Sequence, residues 1–346
     1  MGNASKKKNK VVVAMSGGLD SSIAALLLKN SGFSVAGVFM SHWSSRRLRK
    51  AEIRARKVAK ILKIPFHVFN FEKEFKKKVV NYFLDRYNKG ITPNPCVVCN
   101  KEIKFGLFSE KALKLDADYL ATGHYARVRQ ERLLKAKDRG RDQSYFLWML
   151  TQKQLKRILF PIGNCTRNEV KNLAKKFGLS FLLNIPKSVE ICFIPKTVKG
   201  FLKHYLKPKN GEIVDVKGKI ITRHQGLAFY TIGQRKGIGL PGGPYWVLDK
   251  DFKKNILIVT KNNKDLSKKE LILKKVNWIS GKEPKLPFKS MVKIRYRHHP
   301  ALAVITKDLK LATYNLKFAR PQRAVTPGQS AVFYKGSELL GGGIIY

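Results

Sequence analysis

The chain has 346 residues, 44% of them hydrophobic, which is enough for two or three domains with packed cores. Seventy Lys and Arg residues against 23 Asp and Glu residues give a net charge of +47. This excess excludes a neutral surface and favours a polyanionic partner, with nucleic acid as the first candidate. A generally lysine-rich composition would explain part of the excess, but not the shortage of acidic residues. No apolar run is long enough for a transmembrane helix, so no membrane partner is expected.

The first predicted elements are a buried strand, a glycine-rich turn and a helix. Residues 11–15 are apolar, residues 16–22 have the sequence S-G-G-L-D-S-S, and apolar residues continue to Leu28. Two glycines let backbone N–H groups approach a ligand, and a helix N-terminus attracts phosphate. The loop lacks the lysine of the common nucleotide-binding sequence G-x-x-x-x-G-K-[ST]. An ordinary strand-to-helix turn is the alternative interpretation.

Two more strands and two helices are predicted next, at residues 34–40, 46–62, 66–71 and 79–87. Both strands are apolar enough to be mostly buried. Strand and helix alternate in this region, which predicts an α/β domain with a doubly wound parallel sheet and a ligand site at the carboxyl ends of its strands. A later strand at residues 119–122 ends in Gly123 and His124, and we expect this histidine to lie in the site.

The four cysteines are too few for a disulfide scaffold, so we expect reduced, chemically active thiols in a cytoplasmic protein. Cys96 and Cys99 form one pair. A zinc site there would need two more ligands, and no second CxxC or HxxxH pair exists in the chain. Cys165 precedes a predicted helix start and is expected to pack near the core. Cys192 stands between Ile and Phe, where plain packing is an equally acceptable interpretation until the other cysteines are considered.

Residues 90–100 have the sequence G-I-T-P-N-P-C-V-V-C-N, and the two prolines predict a loop rather than a helix. A helix should follow directly, which places Cys99 just before a helix N-terminus. The helix dipole and nearby lysines would then lower the pKa of the Cys99 thiol and make it reactive.

From residue 207 the pattern changes to short β-like runs between turn residues, at residues 212–216, 219–222, 245–248, 255–260, 270–279, 291–297 and 331–334. Such runs predict small all-β domains. We therefore predict three domains: an α/β domain at residues 1–205, a central β domain at 206–270 and a C-terminal β-barrel at 271–346. Residues 231–239 are glycine-rich and basic, which fits either a phosphate-binding loop or a flexible turn.

The loop at residues 16–22 resembles the pyrophosphate loop of the ATP pyrophosphatases, which split ATP between its α and β phosphates and adenylate an acceptor. Together with separated cysteines and β domains on a basic chain, it points to sulfur insertion into RNA. Adenylation turns an oxygen into a good leaving group, and a sulfur nucleophile then displaces AMP. A second thiol is needed because a persulfide that has given its outer sulfur is released most simply by disulfide formation.

Seven motifs, in order over residues 11–334, resemble the bacterial tRNA 2-thiouridylases of the MnmA/TrmU type. They are S-G-G-x-D-S-S, T-P-N-P-C-x-x-C-N-K-E-I-K-F, A-T-G-H-Y-A, D-Q-S-Y-F-L, I-C-F-I, T-I-G-Q-R-K-G and T-P-G-Q-S-A-V-F-Y. The resemblance implies an enzyme that converts the wobble uridine of tRNAs for Lys, Glu and Gln to 2-thiouridine, with ATP and Mg²⁺. It also implies a partner that supplies sulfur, either a persulfide-carrying relay protein or a cysteine desulfurase. The target base would have to leave its stack.

The resemblance also implies the site residues. Cys99 would be the catalytic nucleophile and Cys192 the persulfide carrier, and the two would end as a disulfide. ATP would contact Ala14, Met15, Ser16, Gly17, Gly18, Leu19, Asp20, Ser21, Met40 and Gly123, with Asp20 a candidate partner for Mg²⁺. The tRNA would contact Asn94, Pro95, Cys96, His124, Arg141, Asp142, Gln143, Arg295, Tyr296 and Gln329. No metal site is implied among the side chains.

Two departures from the family keep alternatives open. Residues 41–50 are short and basic where relatives carry a longer acidic segment, and position 96 is Cys where some relatives have Asp. Cys96, Cys99 and Cys192 could therefore hold a [4Fe–4S] cluster, as an alternative to the persulfide route. An amide-forming ligase of the same ATP-using superfamily would need neither the cysteines nor the β domains. A non-catalytic RNA-binding protein would leave the phosphate loop without a purpose.

Overall fold

The computed structural model describes residues 8–185 and 191–346. In the first part of the chain the strands are β1 (Lys10–Ala14), β2 (Ser34–Ser41), β3 (Phe66–Asn70), β4 (Tyr119–Thr122), β5 (Ala126–Arg129), β6 (Arg132–Lys135) and β7 (Ile158–Leu159). The helices are α1 (Leu19–Asn30), α2 (Arg46–Ile61), α3 (Glu72–Phe75), α4 (Asn81–Asn88), α5 (Pro95–Val98), α6 (Phe108–Leu113), α7 (Gln152–Leu155) and α8 (Arg167–Lys176). Short 3₁₀ turns lie at Ser144–Phe146, Pro161–Asn164 and Ser180–Leu182.

Two π-helical segments make longer continuous helices from these pieces. Lys76–Val80 joins α3 to α4, and Cys99–Leu107 joins α5 to α6. A π-helix closes hydrogen bonds between residues five apart and is frequent at functional sites. The second of these segments carries one of the candidate catalytic cysteines.

Five parallel strands form the central sheet in the order β3-β2-β1-β4-β7. The chain moves outward from β1 to β3 on one side and then returns to place β4 on the other side of β1. The carboxyl ends of β1 and β4 therefore meet at a topological switch point, where such sheets bind ligands. The predicted doubly wound parallel sheet is confirmed.

The predicted burial of residues 66–71 is wrong for most of strand β3. His67, Val68 and Asn70 are exposed, whereas Phe71, directly after the strand, is buried. β3 lies at the edge of the sheet and pairs only with β2, so its outer side is open. The number of apolar residues in a short strand does not reveal whether the strand has one neighbour or two.

The rest of the chain is mostly β-structure. Helix α9 (Val198–Tyr205) leads to a four-stranded sheet of β8 (Gly211–Val214), β9 (Ile220–His224), β10 (Trp246–Asp251) and β11 (Ile256–Thr260). The last strands are β12 (Ser267–Trp278), β13 (Phe288–Lys293), β14 (Ala301–Asp308), β15 (Thr313–Arg323), β16 (Ser330–Lys335) and β17 (Glu338–Ile345). Pairing of β12 with both β15 and β17 closes these six antiparallel strands into a barrel. None of the helices within the described ranges is long and apolar enough to span a bilayer.

A hairpin of the α/β domain attaches the barrel to the first part of the chain. β5 and β6 pair with each other and extend the barrel sheet, where Leu134 of β6 pairs with Glu338 of β17. The two turn residues, Gln130 and Glu131, both adopt positive φ angles, as a tight hairpin turn requires. The sequence did not predict this hairpin, because neither turn residue is a glycine or asparagine.

Buried hydrogen bonds add to this attachment. Trp148 donates from Nε1 to the Ser330 hydroxyl at 3.0 Å, and the Tyr145 hydroxyl donates to the Ser330 carbonyl at 2.9 Å. From the barrel, Asn277 donates to the Trp148 carbonyl at 2.7 Å. The two bonds to Ser330 are buried and the bond from Asn277 is partly buried, so together they fix the orientation of the barrel relative to the α/β domain.

The barrel core gives a stability prediction. Phe333 is fully buried, and its ring packs on Trp278 with 5.2 Å between centroids. We expect Phe333→Ala to lower the free energy of unfolding by about 3–5 kcal/mol, because a cavity replaces the ring. Leu309 is 81% exposed, so Leu309→Ala should change stability by less than about 0.5 kcal/mol. Chemical denaturation measures both variants, and equal losses would contradict the barrel packing.

Candidate active site

The S-G-G-L-D-S-S loop joins the carboxyl end of β1 to α1. Gly17 has a φ of +68°, and a Cβ atom there would lie 1.9 Å from the Ala51 carbonyl oxygen of α2, so a larger residue does not fit. Arg54 of α2 donates from Nε to the Gly17 carbonyl oxygen at 3.0 Å. The loop is therefore fixed against the backbone of a second helix.

The loop leaves the start of α1 open for an anion. Ser21 Oγ accepts the Ser16 N–H at 3.0 Å, which closes the loop on itself. Gly18 occupies the N-cap position of α1 and provides no side-chain cap. The first N–H groups of this twelve-residue helix thus need an outside partner, and a phosphate fits that need.

Asp20, in the first turn of α1, is engaged by protein groups. It forms an ion pair with Arg167 of α8, and the Tyr125 hydroxyl donates to its Oδ1 at 3.2 Å. Burial raises the pKa of this carboxyl, while Arg167 and Tyr125 act in the opposite direction. Among the described residues, no group of three or more His, Cys, Asp or Glu side chains could hold a metal ion. Asp20 thus has two protein partners in the structure, and its role toward Mg²⁺ stays a prediction.

The ends of β2 and β4 complete the predicted ATP site around this loop. A Cβ atom on Gly123 would lie 2.5 Å from the Ser21 backbone nitrogen, so the turn after β4 contacts the start of α1 backbone to backbone. Met40 lies at the end of β2, the neighbour of β1, and its carbonyl is 3.0 Å from His42 Nδ1. The ten predicted ATP residues therefore cluster at the ends of three adjacent strands.

His124 links this cluster to the cysteine helix. It is buried, its Nδ1 shares a 2.7 Å hydrogen bond with the Thr122 hydroxyl, and its ring lies 6.0 Å from that of Phe105. Burial lowers the pKa of His124 well below its usual range, and the charge of Lys104 lowers it further. The imidazole is neutral at physiological pH.

The cysteine pair lies inside a helix, so the prediction of a loop over residues 95–100 is wrong. α5 begins at Pro95, and the helix continues through Cys99. Proline is tolerated at the first helical position, because the N–H that it lacks would have no partner there. Asn94 stands at the N-cap position, so Cys99 lies one turn beyond the N-terminus, on the same face as Cys96.

Cys192 approaches this helix from a separate turn. The ring of its neighbour Phe193 packs on Phe83 at 5.3 Å and on Trp43 at 6.1 Å, which anchors the turn. The Cys192 thiol interacts electrostatically with Cys99 and Cys96. The structure thus brings three of the four cysteines together, all as free thiols.

Cys165 lies elsewhere. It directly precedes Thr166, the N-cap of α8, and packs against a different hydrophobic cluster. The expectation that it packs near the core is confirmed.

The predicted lowering of the Cys99 pKa is wrong. Burial raises the pKa of Cys99, that of Cys96 to about 11 and that of Cys192 to about 12, although Cys192 is exposed as a whole residue. Lys104 lowers all three values but does not offset the loss of hydration. Cys99 is also not at the helix N-terminus, where the dipole would act most strongly. At neutral pH the three thiols carry their protons in this structure.

The predicted tRNA contacts of the barrel support the cysteine helix from outside. Gln329 donates from Nε2 to the Thr92 carbonyl at 2.9 Å, just before α5. Arg295 donates to the carbonyls of Ile232 at 3.1 Å and Ala324 at 2.8 Å, which ties the barrel to the central domain.

Tyr296 continues this support. Its ring packs on Phe146 at 4.6 Å, and the Phe146 carbonyl accepts a 3.0 Å hydrogen bond from Asn100 of the cysteine helix. Residues predicted to contact tRNA thus also make internal contacts that hold the helix in place.

Residues 141–143 follow the same pattern. The Asp142 carboxylate is buried and accepts from the Ala136 N–H at 3.0 Å and the Ser144 hydroxyl at 2.9 Å. Gln143 Oε1 accepts the Tyr125 N–H at 2.9 Å. Arg141 is the exposed member of the three.

Three models of known domain families match this chain over most of its length. The family model for the tRNA methyl transferase HUP domain matches residues 9–196, that for the tRNA methyl transferase PRC-barrel domain matches 199–261, and that for the aminomethyltransferase beta-barrel domain matches 268–345. The tRNA-specific 2-thiouridylase MnmA of Geobacillus thermodenitrificans is 42% identical over 99% of this chain and 96% of its own length. That of Buchnera aphidicola subsp. Acyrthosiphon pisum is 43% identical over 98% and 97%.

The chain belongs to the tRNA-specific 2-thiouridylase family. The resemblance that the seven motifs carried is confirmed over nearly the whole length. A solved structure titled U34-tRNA thiolase NcsA from Methanococcus maripaludis with its [4Fe-4S] cluster covers 57% of this chain and 63% of its own, at 20% identity and a TM-score of 0.38.

Sequence reasoning missed three residues of the site in this thiouridylase. Arg167 pairs with Asp20, yet no local pattern marks it. Lys104 interacts electrostatically with Cys99 and with His42, and it lies inside the motif N-K-E-I-K-F, where no sequence pattern distinguishes it. Its position five residues after Cys99 is a signal only if the helix is known to be of the π type.

The two neighbouring loop glycines give a test. We expect Gly17→Ala to abolish ATP binding and lower the thermal stability, because the methyl group would meet the α2 backbone and the φ is positive. At Gly18 the nearest atom to a Cβ is Ser16 Oγ at 3.4 Å, so Gly18→Ala should fold normally. Calorimetric titration with ATP and thermal unfolding measure both variants. Equal stability of the two would contradict the contact with α2.

Proposed function

We propose that this chain catalyses the ATP-dependent 2-thiolation of the wobble uridine in tRNAs for Lys, Glu and Gln. The observation that carries the proposal is a continuous path of contacts from the phosphate loop through Gly123 and His124 to the helix of Cys99. Relatives of similar length that are 42% and 43% identical carry the name tRNA-specific 2-thiouridylase, which supports the same activity here.

The proposed reaction has two stages. The uridine O2 attacks the α phosphate of ATP, and pyrophosphate leaves toward the loop at residues 16–22. The terminal sulfur of a Cys192 persulfide then attacks C2, and AMP departs with the C2–O electron pair. Cys99 as a thiolate attacks Cys192 Sγ and breaks the S–S bond to the product, which releases 2-thiouridine and leaves a disulfide. A dithiol reductant must reduce this disulfide before the next cycle.

Sulfur reaches Cys192 from outside the chain in this scheme. We propose a persulfide-carrying relay protein or a cysteine desulfurase as the donor, and the exposure of Cys192 supports such access. A [4Fe–4S] cluster on Cys96, Cys99 and Cys192 is the alternative to the persulfide route, and an iron and sulfide assay on anaerobically purified protein distinguishes the two. Mg²⁺ would arrive with ATP, held by its phosphates.

The remaining assignments follow from the family and the charge. We propose that tRNA contacts three groups of residues. They are residues 94–96 at the start of the cysteine helix, residues 141–143, and Arg295, Tyr296 and Gln329 of the barrel. The net charge of +47 supports a large phosphate-binding surface. Domain boundaries near residues 205 and 270, and a reducing cytoplasm for the free thiols, complete the proposal.

Replacing the two cysteines tests the sulfur chemistry. We expect Cys99→Ser and Cys192→Ser each to lose at least 1,000-fold in thiolation, roughly the effect of removing a nucleophile, while tRNA binding persists. Cys165→Ser is the matched control and should retain activity, because Cys165 packs away from the other thiols. Mass spectrometry of tRNA nucleosides, after reaction with ATP and a sulfur source, measures the product. Retained activity in either of the first two variants would exclude the two-thiol scheme.

The salt dependence of binding tests the tRNA partner. Each phosphate contacted by Lys or Arg releases a counter-ion, so the affinity should fall steeply, by about 10³-fold or more between 50 and 200 mM salt. Filter binding or fluorescence anisotropy with unmodified tRNA measures the slope. An affinity that does not respond to salt would mean that the positive charge is not used for RNA.

A further inference from the structure

We propose that the ammonium group of Lys104 is the counter-charge for the sulfur anions formed at Cys99 and Cys192. The role of Lys104 in turnover rests on the proposed function. Its effect on the ionisation of the thiols does not depend on that function. Lys104 would act as a positioning and electrostatic residue, since it acts on the cysteines rather than on the uridine.

The helix geometry places Lys104 on the side of the helix that carries Cys99. Cys99–Leu107 is π-helical, so residues five apart, such as Cys99 and Lys104, lie one turn apart on the same face. The next residue, Phe105, packs on His124 at 6.0 Å, so the neighbouring side of the helix contacts the turn after β4. In an ordinary α-helix, a residue at this spacing would be rotated away from the cysteine.

The groups whose pKa Lys104 lowers come from four separate parts of the chain. Cys96 and Cys99 lie on its own helix, Cys192 on the later turn, His42 after β2 and His124 after β4, and each responds electrostatically to Lys104. Burial and Lys104 keep both histidines neutral. The charge of Lys104 therefore acts on all three thiols and on the histidines after β2 and β4.

No anion already compensates this charge within the described ranges. The nearest acidic residue on the helix, Glu102, is bound to Lys78 at 2.8 Å and approaches Lys101 at 3.7 Å. Lys104 is half-buried and makes no ion pair with a described carboxylate. A cation left unpaired beside buried thiols stabilises them when they lose a proton to solvent.

The chemistry of the thiols requires such a charge. Burial holds the thiols protonated, yet both the attack by the persulfide and the attack by Cys99 need an anionic sulfur. A nearby ammonium favours the thiolate without supplying or taking electrons. Removing it should make the proton harder to lose at both cysteines.

The experiment measures alkylation of individual cysteines by iodoacetamide as a function of pH, read by peptide mass spectrometry. We expect Lys104→Met to shift the profiles of Cys99 and Cys192 upward by about one pH unit, a roughly tenfold lower rate at neutral pH. Lys104→Arg should restore much of the rate, because it keeps the charge. Lys101→Met is the matched control on the same helix, with an exposed side chain, and should leave the profiles unchanged.

The outcomes separate this proposal from the proposed function. A Lys104→Met protein with native thermal stability and a wild-type profile would overturn the role of Lys104, and so would an equal shift in Lys101→Met. If the profiles shift as expected but the wild-type enzyme forms no 2-thiouridine, the electrostatic role stands and the proposed function fails. If thiolation is present, its kcat should fall in Lys104→Met while the Kd for tRNA stays constant.

Discussion

The close approach of backbones at the switch point of the central sheet is the constraint on which the site depends. Gly17 lies against the α2 backbone and Gly123 against the start of α1, at distances that leave no room for a side chain. These two contacts fix the phosphate loop between three elements and leave the first N–H groups of α1 open. The loop shape from which phosphate binding is predicted is thus a consequence of packing that only glycine permits.

The same region shows why two β domains are attached to an ATP-binding sheet. The segment just before the cysteine helix is held from both sides: Lys250 of the central sheet donates to the Gly90 carbonyl at 2.6 Å, and Gln329 of the barrel donates to the Thr92 carbonyl. A Cβ atom on Gly328 would lie 2.2 Å from Ile91 Cγ2. Any shift of either domain would move the start of the helix that carries Cys96 and Cys99.

Charge is distributed differently at the surface of the molecule and in its interior. Outside, the surplus of Lys and Arg over acidic residues leaves many cations without a carboxylate, as a polyanion-binding surface requires. Inside, burial keeps the thiols protonated and the two site histidines neutral. The positive charge that acts on all three thiols is that of Lys104, which lowers the pKa of each.

The sequence alone determined the α/β class, the strand–glycine loop–helix unit at residues 11–28 and the β-rich second half, because each leaves a local pattern. Only the tertiary structure decided that Pro95 begins a helix, that β3 is an edge strand and that the β5–β6 hairpin joins the barrel. It also decided that Arg167 pairs with Asp20 and that burial raises the pKa of Cys99. Those outcomes depend on residues distant in the chain and on exclusion of water, which no local pattern encodes.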